Sequence, residues 1–238
     1  MLRGIWAFFT LGVVSVALSL PVVVILPLVP RWNHLPMVMA RLWSRIMLRV
    51  VGARVTYHDP HDALGRSKCV FIANHCSNVD IWALARVLPL GSRFVAKQEL
   101  FRVPVLGWAM AASGFISIDR SNRAEAIRSL RQAAEKVRAG PPVILFPEGT
   151  RSRDGRLKPF KKGAFHLAMQ AGVPLIPVAI KGTFQIMPPG SLRVRPGPVD
   201  VFFEQAVDVT GHEPERSDRL SQTVRAAIAR RLDEAGPP

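Results

Sequence analysis

Acidic residues are few and unevenly placed. Asp and Glu total 17 against 32 Lys and Arg, a formal net charge of +15 over 238 residues, and none precedes Asp59. Two cysteines in a chain of this length exclude a disulfide scaffold. With a single Tyr there is no interleaving of basic and aromatic side chains of the kind that stacks nucleic-acid bases. No block of five or six like charges occurs, so the basicity is spread along the chain and is not a tail. The motifs G-x-S-x-G, G-x-x-x-x-G-K-[ST] and G-x-G-x-x-G are all missing, which removes the usual signatures of serine hydrolases and nucleotide-binding enzymes. Hydrophobic residues make up 49% of the chain, too many for an intrinsically disordered one. A basic, apolar-rich protein implies an anionic partner: nucleic acid, a membrane surface or a phosphorylated substrate.

Residues 4 to 30 carry no charge. A membrane-spanning helix needs ~20 residues, so this run suffices, and Pro21 and Pro27 are expected to kink its second half. A signal peptide is the competing reading, but the run is long for one and lacks an A-x-A site. A second helix is predicted from Pro36 to Gly52. Arg41, Arg45 and Arg49 share one face of it, and Leu42, Trp43, Ile46 and Val50 cover the other side. Following an apolar segment, that arginine face suits anionic headgroups at a membrane surface. The arginine excess after residue 30 places the downstream chain on the cytoplasmic side. The expected organisation is residues 1–53 as membrane-binding helices and 54–238 as one α/β domain on the cytoplasmic side.

From about residue 54, β-rich runs alternate with helical stretches. The runs are CVFIA (69–73), RFVA (93–96), GFISI (114–118), PVILF (142–146), VPLIPVAI (173–180) and VDVFF (199–203). Asn122 and Glu125 form a capping-box pattern before the stripe Ile127, Leu130, Ala134 and Val137, and a last helix puts Leu220, Val224, Ile228 and Leu232 in register. The fold class expected is α/β: a mixed sheet covered by helices, preceded by the helical anchor. In VPLIPVAI, Pro174 fits a strand entry and Pro177 a bulge or an edge.

Chemistry-bearing residues lie where these strands end. CVFIA runs into NHCSNVD, which places His75 and Asp80 five residues apart with Ser77 or Asn78 able to cap the helix between them. A carboxylate on one imidazole nitrogen fixes the tautomer and leaves the other as a base. PVILF runs into FPEGTRS, with a free backbone at Gly149 and a guanidinium suited to phosphate at Arg151. Glu148, repelled by phosphate, is expected to accept a substrate hydroxyl or to orient Arg151. The block KQELFRVPVLGWAMAASGFISIDR is bounded by two cations, Lys97 and Arg120. Cys76 beside His75 raises the possibility of a covalent thioester enzyme. Cys69, His75 and Cys76 are badly spaced for a metal, and no metal site is expected.

In order and spacing, NHCSNVD, KQELFRVPVLG…GFISIDR, FPEGTRS and VPLIPVAI resemble the four motifs of the glycerolipid acyltransferase family, across residues 55 to 205; the first is its HX4D box. The resemblance implies an O-acyltransferase of phospholipid synthesis at the inner (cytoplasmic) membrane of a bacterium. It would move an acyl group from acyl-CoA or acyl-carrier protein to the sn-2 hydroxyl of lysophosphatidic acid, with no other cofactor and with anionic membrane lipids as surroundings. His75 would be the general base and Asp80 its partner. Lys97, Arg120, Glu148, Gly149, Thr150 and Arg151 would bind substrate. Another lysolipid, such as a lyso-ornithine lipid, is an alternative acceptor, and a non-catalytic membrane- or nucleic-acid-binding protein is the alternative of a different class.

Overall fold

The computed structural model describes residues 2–118, 129, 133–138, 140–209 and 217–234. Two helices precede the sheet: α1 (Leu2–Leu28), unbroken with Pro21 and Pro27 inside it, and α2 (Leu35–Val51), with a proline in its first turn. Proline is tolerated there because that N–H has no intrahelical acceptor. The two helices lie side by side in opposite directions. Arg3 Nε donates to the Val50 carbonyl near the end of α2, and Trp43 Nε1 donates to Ser15 Oγ at 3.1 Å near the middle of both.

Seven strands follow: β1 (Ala53–His58), β2 (Val70–Ala73), β3 (Arg93–Lys97), β4 (Ile116–Ile118), β5 (Val143–Leu145), β6 (Leu175–Lys181) and β7 (Gly197–Phe203). They form one sheet in the order β1-β7-β6-β2-β5-β3-β4, parallel throughout except for the β6–β7 pair. The mixed α/β sheet expected from the sequence is therefore present. The central strand β2 is buried at every position, because helices cover both faces of a parallel sheet and leave no polar side for alternation. Phe71 and Ala73 face a core shared with Met47, Val51 and Trp82, whereas Val70 and Ile72 face the opposite core with Phe165, Leu167 and Val224. The first core holds α2 and α3 (Val79–Val87), joined by Ser44 Oγ donating to the Trp82 carbonyl at 2.5 Å. The second holds α5 (Gly163–Ala171) and the C-terminal helix α6 (Ser217–Glu234), which buries Leu220, Val224 and Ile228 as its periodicity predicts.

Pro177 lies in an interior strand, at a bulge. Leu175 bridges Val207 and Val178 pairs with Phe203, so Ile176 and Pro177 oppose Glu204, Gln205 and Ala206. The missing proline N–H falls at this extra residue, and the Pro177 carbonyl accepts the Glu204 N–H. Asn122, Glu125, Ile127 and Leu130 lie outside the described residues. Ala134 and Val137 are helical and buried, as the stripe requires.

The block after β3 folds as a 3-10 turn (Gln98–Arg102) and then α4 (Leu106–Ala112). At Gly107 a Cβ would lie 2.1 Å from the Phe101 carbonyl oxygen, whereas at Gly12 in α1 it would meet nothing. Gly107→Ala is thus expected to destabilise the fold by about 1–3 kcal/mol through overpacking. Gly12→Ala is expected to be neutral or to stabilise its helix by about 0.5–1 kcal/mol. Thermal unfolding of the two variants beside the wild type checks this contrast, and equal midpoints would contradict the packing at Gly107.

Candidate active site

Because β2, β5 and β6 are parallel neighbours, their carboxyl ends open on the same edge, and the loops leaving them meet there. Asn74, the first residue past β2, donates from Nδ2 to the Ile180 carbonyl and accepts the Ile180 N–H on Oδ1. This amide continues the sheet beyond its last strand residue and fixes the direction in which His75 leaves it.

The His75 imidazole stacks on Phe146 with centroids 4.0 Å apart, and its Nδ1 lies 2.8 Å from Asp80 Oδ2. The His75 side chain is 13% exposed and that of Asp80 0%. The same Oδ2 accepts the backbone N–H groups of Cys76 and Ser77, each at 2.8 Å. Asp80 stands in the first turn of α3, where the helix dipole favours a negative charge. Asn78 holds the N-cap position of α3 without a side-chain cap, and Ser77, the other capping candidate, instead accepts the Val79 N–H on its Oγ one residue before the cap. With Nδ1 engaged by a carboxylate, the available imidazole nitrogen is Nε2.

The FPEGTRS loop packs beneath this pair. Glu148 is buried, and its hydrogen bonds run to backbone: Oε1 accepts the His75 N–H at 2.7 Å and Oε2 the Lys158 N–H at 3.3 Å. The Ser152 N–H donates to the His75 carbonyl at 2.8 Å, so the residue carrying the imidazole is held from both its backbone groups. Arg151 does not bond Glu148; its Nη1 donates to Asn78 Oδ1 at 2.8 Å, which sets the guanidinium beside the start of α3. Gly149 has a φ of +75°, and a side chain there would also meet the Lys161 side chain at 2.9 Å. Thr150 Oγ1 accepts from Lys158 Nζ at 2.7 Å. The structure thus brings His75, Asp80, Glu148, Gly149, Thr150 and Arg151 together. Lys97 ends β3 on the same edge of the sheet and pairs with Glu99 at 2.7 Å, and Arg120 lies outside the described residues.

Cys76 points away from the imidazole. Its thiol lies 3.2 Å from Thr183 Oγ1, and burial, with the Asp80 charge added, pushes it far above the usual thiol range. Neighbouring side chains of an extended segment face opposite ways, and a thiol so held is not a nucleophile at neutral pH. Cys69 is buried as well, its thiol raised by burial to about 12.

Sequence reasoning passed over four contributors: Asn74, Phe146, Lys158 and Thr183. Asn74 and Phe146 stand inside the quoted motifs, and their signal was position, since each is the first residue past a buried strand. Lys158 and Thr183 carry no local signal; their roles come from segments that meet only in the fold.

Residues 54–181 match the acyltransferase family model, more than half of the chain, and the protein belongs to that family. It is accordingly an acyl-transferring enzyme. The chain is 30% identical over 236 residues to the 1-acyl-sn-glycerol-3-phosphate acyltransferase of Cocos nucifera, an alignment covering 97% of this chain and 75% of that one. It is 34% identical over 184 residues to the enzyme of the same name from Salmonella typhimurium, covering 77% and 74%. The crystal structure of the 1-acyl-sn-glycerophosphate acyltransferase of Thermotoga maritima superposes with a TM-score of 0.82 at 25% identity, over 100% of this chain and 96% of that one.

The Glu148 carboxyl is pushed up to about 7, chiefly by burial, with the two backbone N–H donors opposing the shift. A carboxyl with a raised folded pKa binds more protons folded than unfolded. Its contribution to stability is therefore full at acid pH and lost as pH rises from about 4.5 to about 7. Glu148→Gln keeps an oxygen for the His75 N–H and removes the titration. Relative to this variant, the wild type is expected to lose thermal stability across that window, as unfolding midpoints at several pH values will show. A constant difference between the two proteins would contradict the buried carboxyl.

Proposed function

We propose that the protein transfers an acyl group from acyl-CoA or acyl-carrier protein to the sn-2 hydroxyl of lysophosphatidic acid, giving phosphatidic acid. The observation that carries this reading is the His75–Asp80 pair on the family's first motif, with one ring nitrogen bound to a buried carboxylate and the other left to act. His75 Nε2 takes the hydroxyl proton as the oxygen attacks the thioester carbonyl. The tetrahedral intermediate then expels the thiolate, which recovers the proton from the imidazolium. Asp80 stabilises that transient cation. No acyl-enzyme is required, in keeping with the buried, high-pKa thiol of Cys76.

Arg151, beside the start of α3, seats the acceptor phosphate, with Lys97 and Arg120 as further cations and Gly149 and Thr150 shaping the loop. Glu148 holds the His75 backbone in place, a positioning role. Orienting two substrates on one rigid edge supplies much of the catalysis.

We further infer that the N-terminal helices hold the enzyme on the cytoplasmic face of the inner membrane. Among the described residues α1 is the one helix long and apolar enough to cross a bilayer. It nevertheless lies along α2 from Arg3 to Ser15, and its outer face exposes Trp6, Phe9, Val13, Val16 and Val24. That arrangement supports a helix lying in the bilayer surface, with the domain beneath it.

Purified enzyme assayed with a panel of lysolipids and both donors tests the reading. Lysophosphatidic acid is expected to be the best acceptor, and His75→Ala to lose about 10²–10⁴-fold of turnover, the range for a general base. A folded His75→Ala protein with near-normal turnover would overturn the mechanism. Preference for a different lysolipid would overturn the acceptor.

A further inference from the structure

Arg41, Arg45 and Arg49 recur at helical spacing on α2, but the fold separates them. Arg41 turns inward and donates from Nη2 to the Leu88 carbonyl just past the end of α3. Arg45 and Arg49 instead line a groove of about 620 Å³, whose floor is one face of the edge strand β1, Ala53, Val55 and Tyr57. The far wall is the last turn of α3, which brings a third guanidinium, Arg86. Among the described residues no acidic one lines this groove. None of the three arginines is in an ion pair among the described residues.

Three unneutralised guanidinia around one concavity are the electrostatic complement of a phosphate, which their planar forks can grip from two sides. The flank of the groove decides the kind of phosphate. Val38, Leu42, Arg45 and Arg49 stand at i, i+4, i+7 and i+11, on one outward strip of α2, so Leu42 is exposed on the arginine side and not on the opposite side expected of it. Val38 and Leu42 are exposed large apolar side chains at the start of that strip. An apolar start running into a cationic end over ~16 Å of helix matches a lipid, whose acyl chain adjoins its phosphate, and not a free soluble anion.

We propose that this groove binds the headgroup phosphate of an anionic glycerophospholipid, at a site separate from the His75–Asp80 pair. The proposal rests on the reading that α1 and α2 face the bilayer. Its consequence is geometric. Arg86 and Asp80 stand at opposite ends of one nine-residue helix, so a lipid held at Arg86 fixes the orientation of the helix that carries the catalytic carboxylate toward the membrane.

The test is lipid retention by the full chain in neutral-detergent micelles at ~0.15 M salt, read by native mass spectrometry as micellar dioleoylphosphatidylglycerol is varied. This probe is anionic but is neither substrate nor product of the proposed reaction. One lipid is expected to bind saturably, with dioleoylphosphatidylcholine held at least about tenfold more weakly. Arg45→Gln and Arg86→Gln should each weaken retention about fivefold, the worth of one cation at an anionic surface. Arg54→Gln makes the same charge change on the opposite face of β1 and should leave retention unaltered. His75→Ala should also retain the lipid, so the result stands apart from the fate of the acyltransfer reading. Equal losses in Arg54→Gln and Arg86→Gln would reduce the groove to a diffuse field and overturn the site. So would equal retention of the zwitterionic lipid, or displacement of phosphatidylglycerol by millimolar inorganic phosphate.

Discussion

One carboxylate oxygen, Oδ2 of the fully buried Asp80, accepts hydrogen bonds from the backbone of Cys76 and Ser77 and lies 2.8 Å from the imidazole of His75. Burying an unpaired polar or charged group costs several kcal/mol. Hydrogen bonds to a charged group are worth about 1.5–3 kcal/mol each, and here the donors converge at the positive end of α3. The same contacts shape the turn from β2 into α3 and orient the imidazole. Folding the loop and fixing the tautomer are thus one event. A change at Asp80 disturbs both, which makes His75 the cleaner probe of chemistry.

The other groups are arranged around this turn. Asn74 extends the β2–β6 pairing by one residue, Phe146 supplies a flat support for the ring, and Glu148 and Ser152 hold the two backbone groups of His75. None of these needs to touch a substrate to matter. They follow two adjacent parallel strands, β2 and β5, and Asn74 is anchored to Ile180 of a third, β6, so the sheet order is itself a requirement of the site. Glu148 carries the tension in this design. Its burial disfavours the charge that its two N–H donors favour, and burial prevails.

The buried strands were legible because residues covered on both faces must be continuously apolar, and CVFIA and PVILF read as nothing else. The His75–Asp80 pair and FPEGTRS were legible because each is local in sequence and follows such a strand. What could not be read depends on distant partners. Strand β1 alternates ARVTYH and is only partly buried at the sheet edge, so it lacked the apolar run by which the others were found. The bond from the His75 N–H to Glu148 spans 73 residues. The three arginines of α2 share a face in projection, yet only the packing of α2 on α3 shows that Arg41 serves the Leu88 carbonyl while Arg45 and Arg49 meet Arg86. Pro177 was placed at a bulge or an edge, and the structure selects the bulge, inside the sheet.

The central claim is that Asp80 fixes the tautomer of His75 so that Nε2 is the basic nitrogen. Nitrogen-15 NMR of protein labelled in its histidine rings measures this directly, with His75→Ala used to assign the signal. In its neutral form the His75 ring should show a protonated Nδ1 and an unprotonated, pyridine-like Nε2, and Asp80→Asn should shift that balance. A His75 ring protonated on Nε2 with Nδ1 bare would contradict the account, and so would a spectrum indifferent to Asp80→Asn.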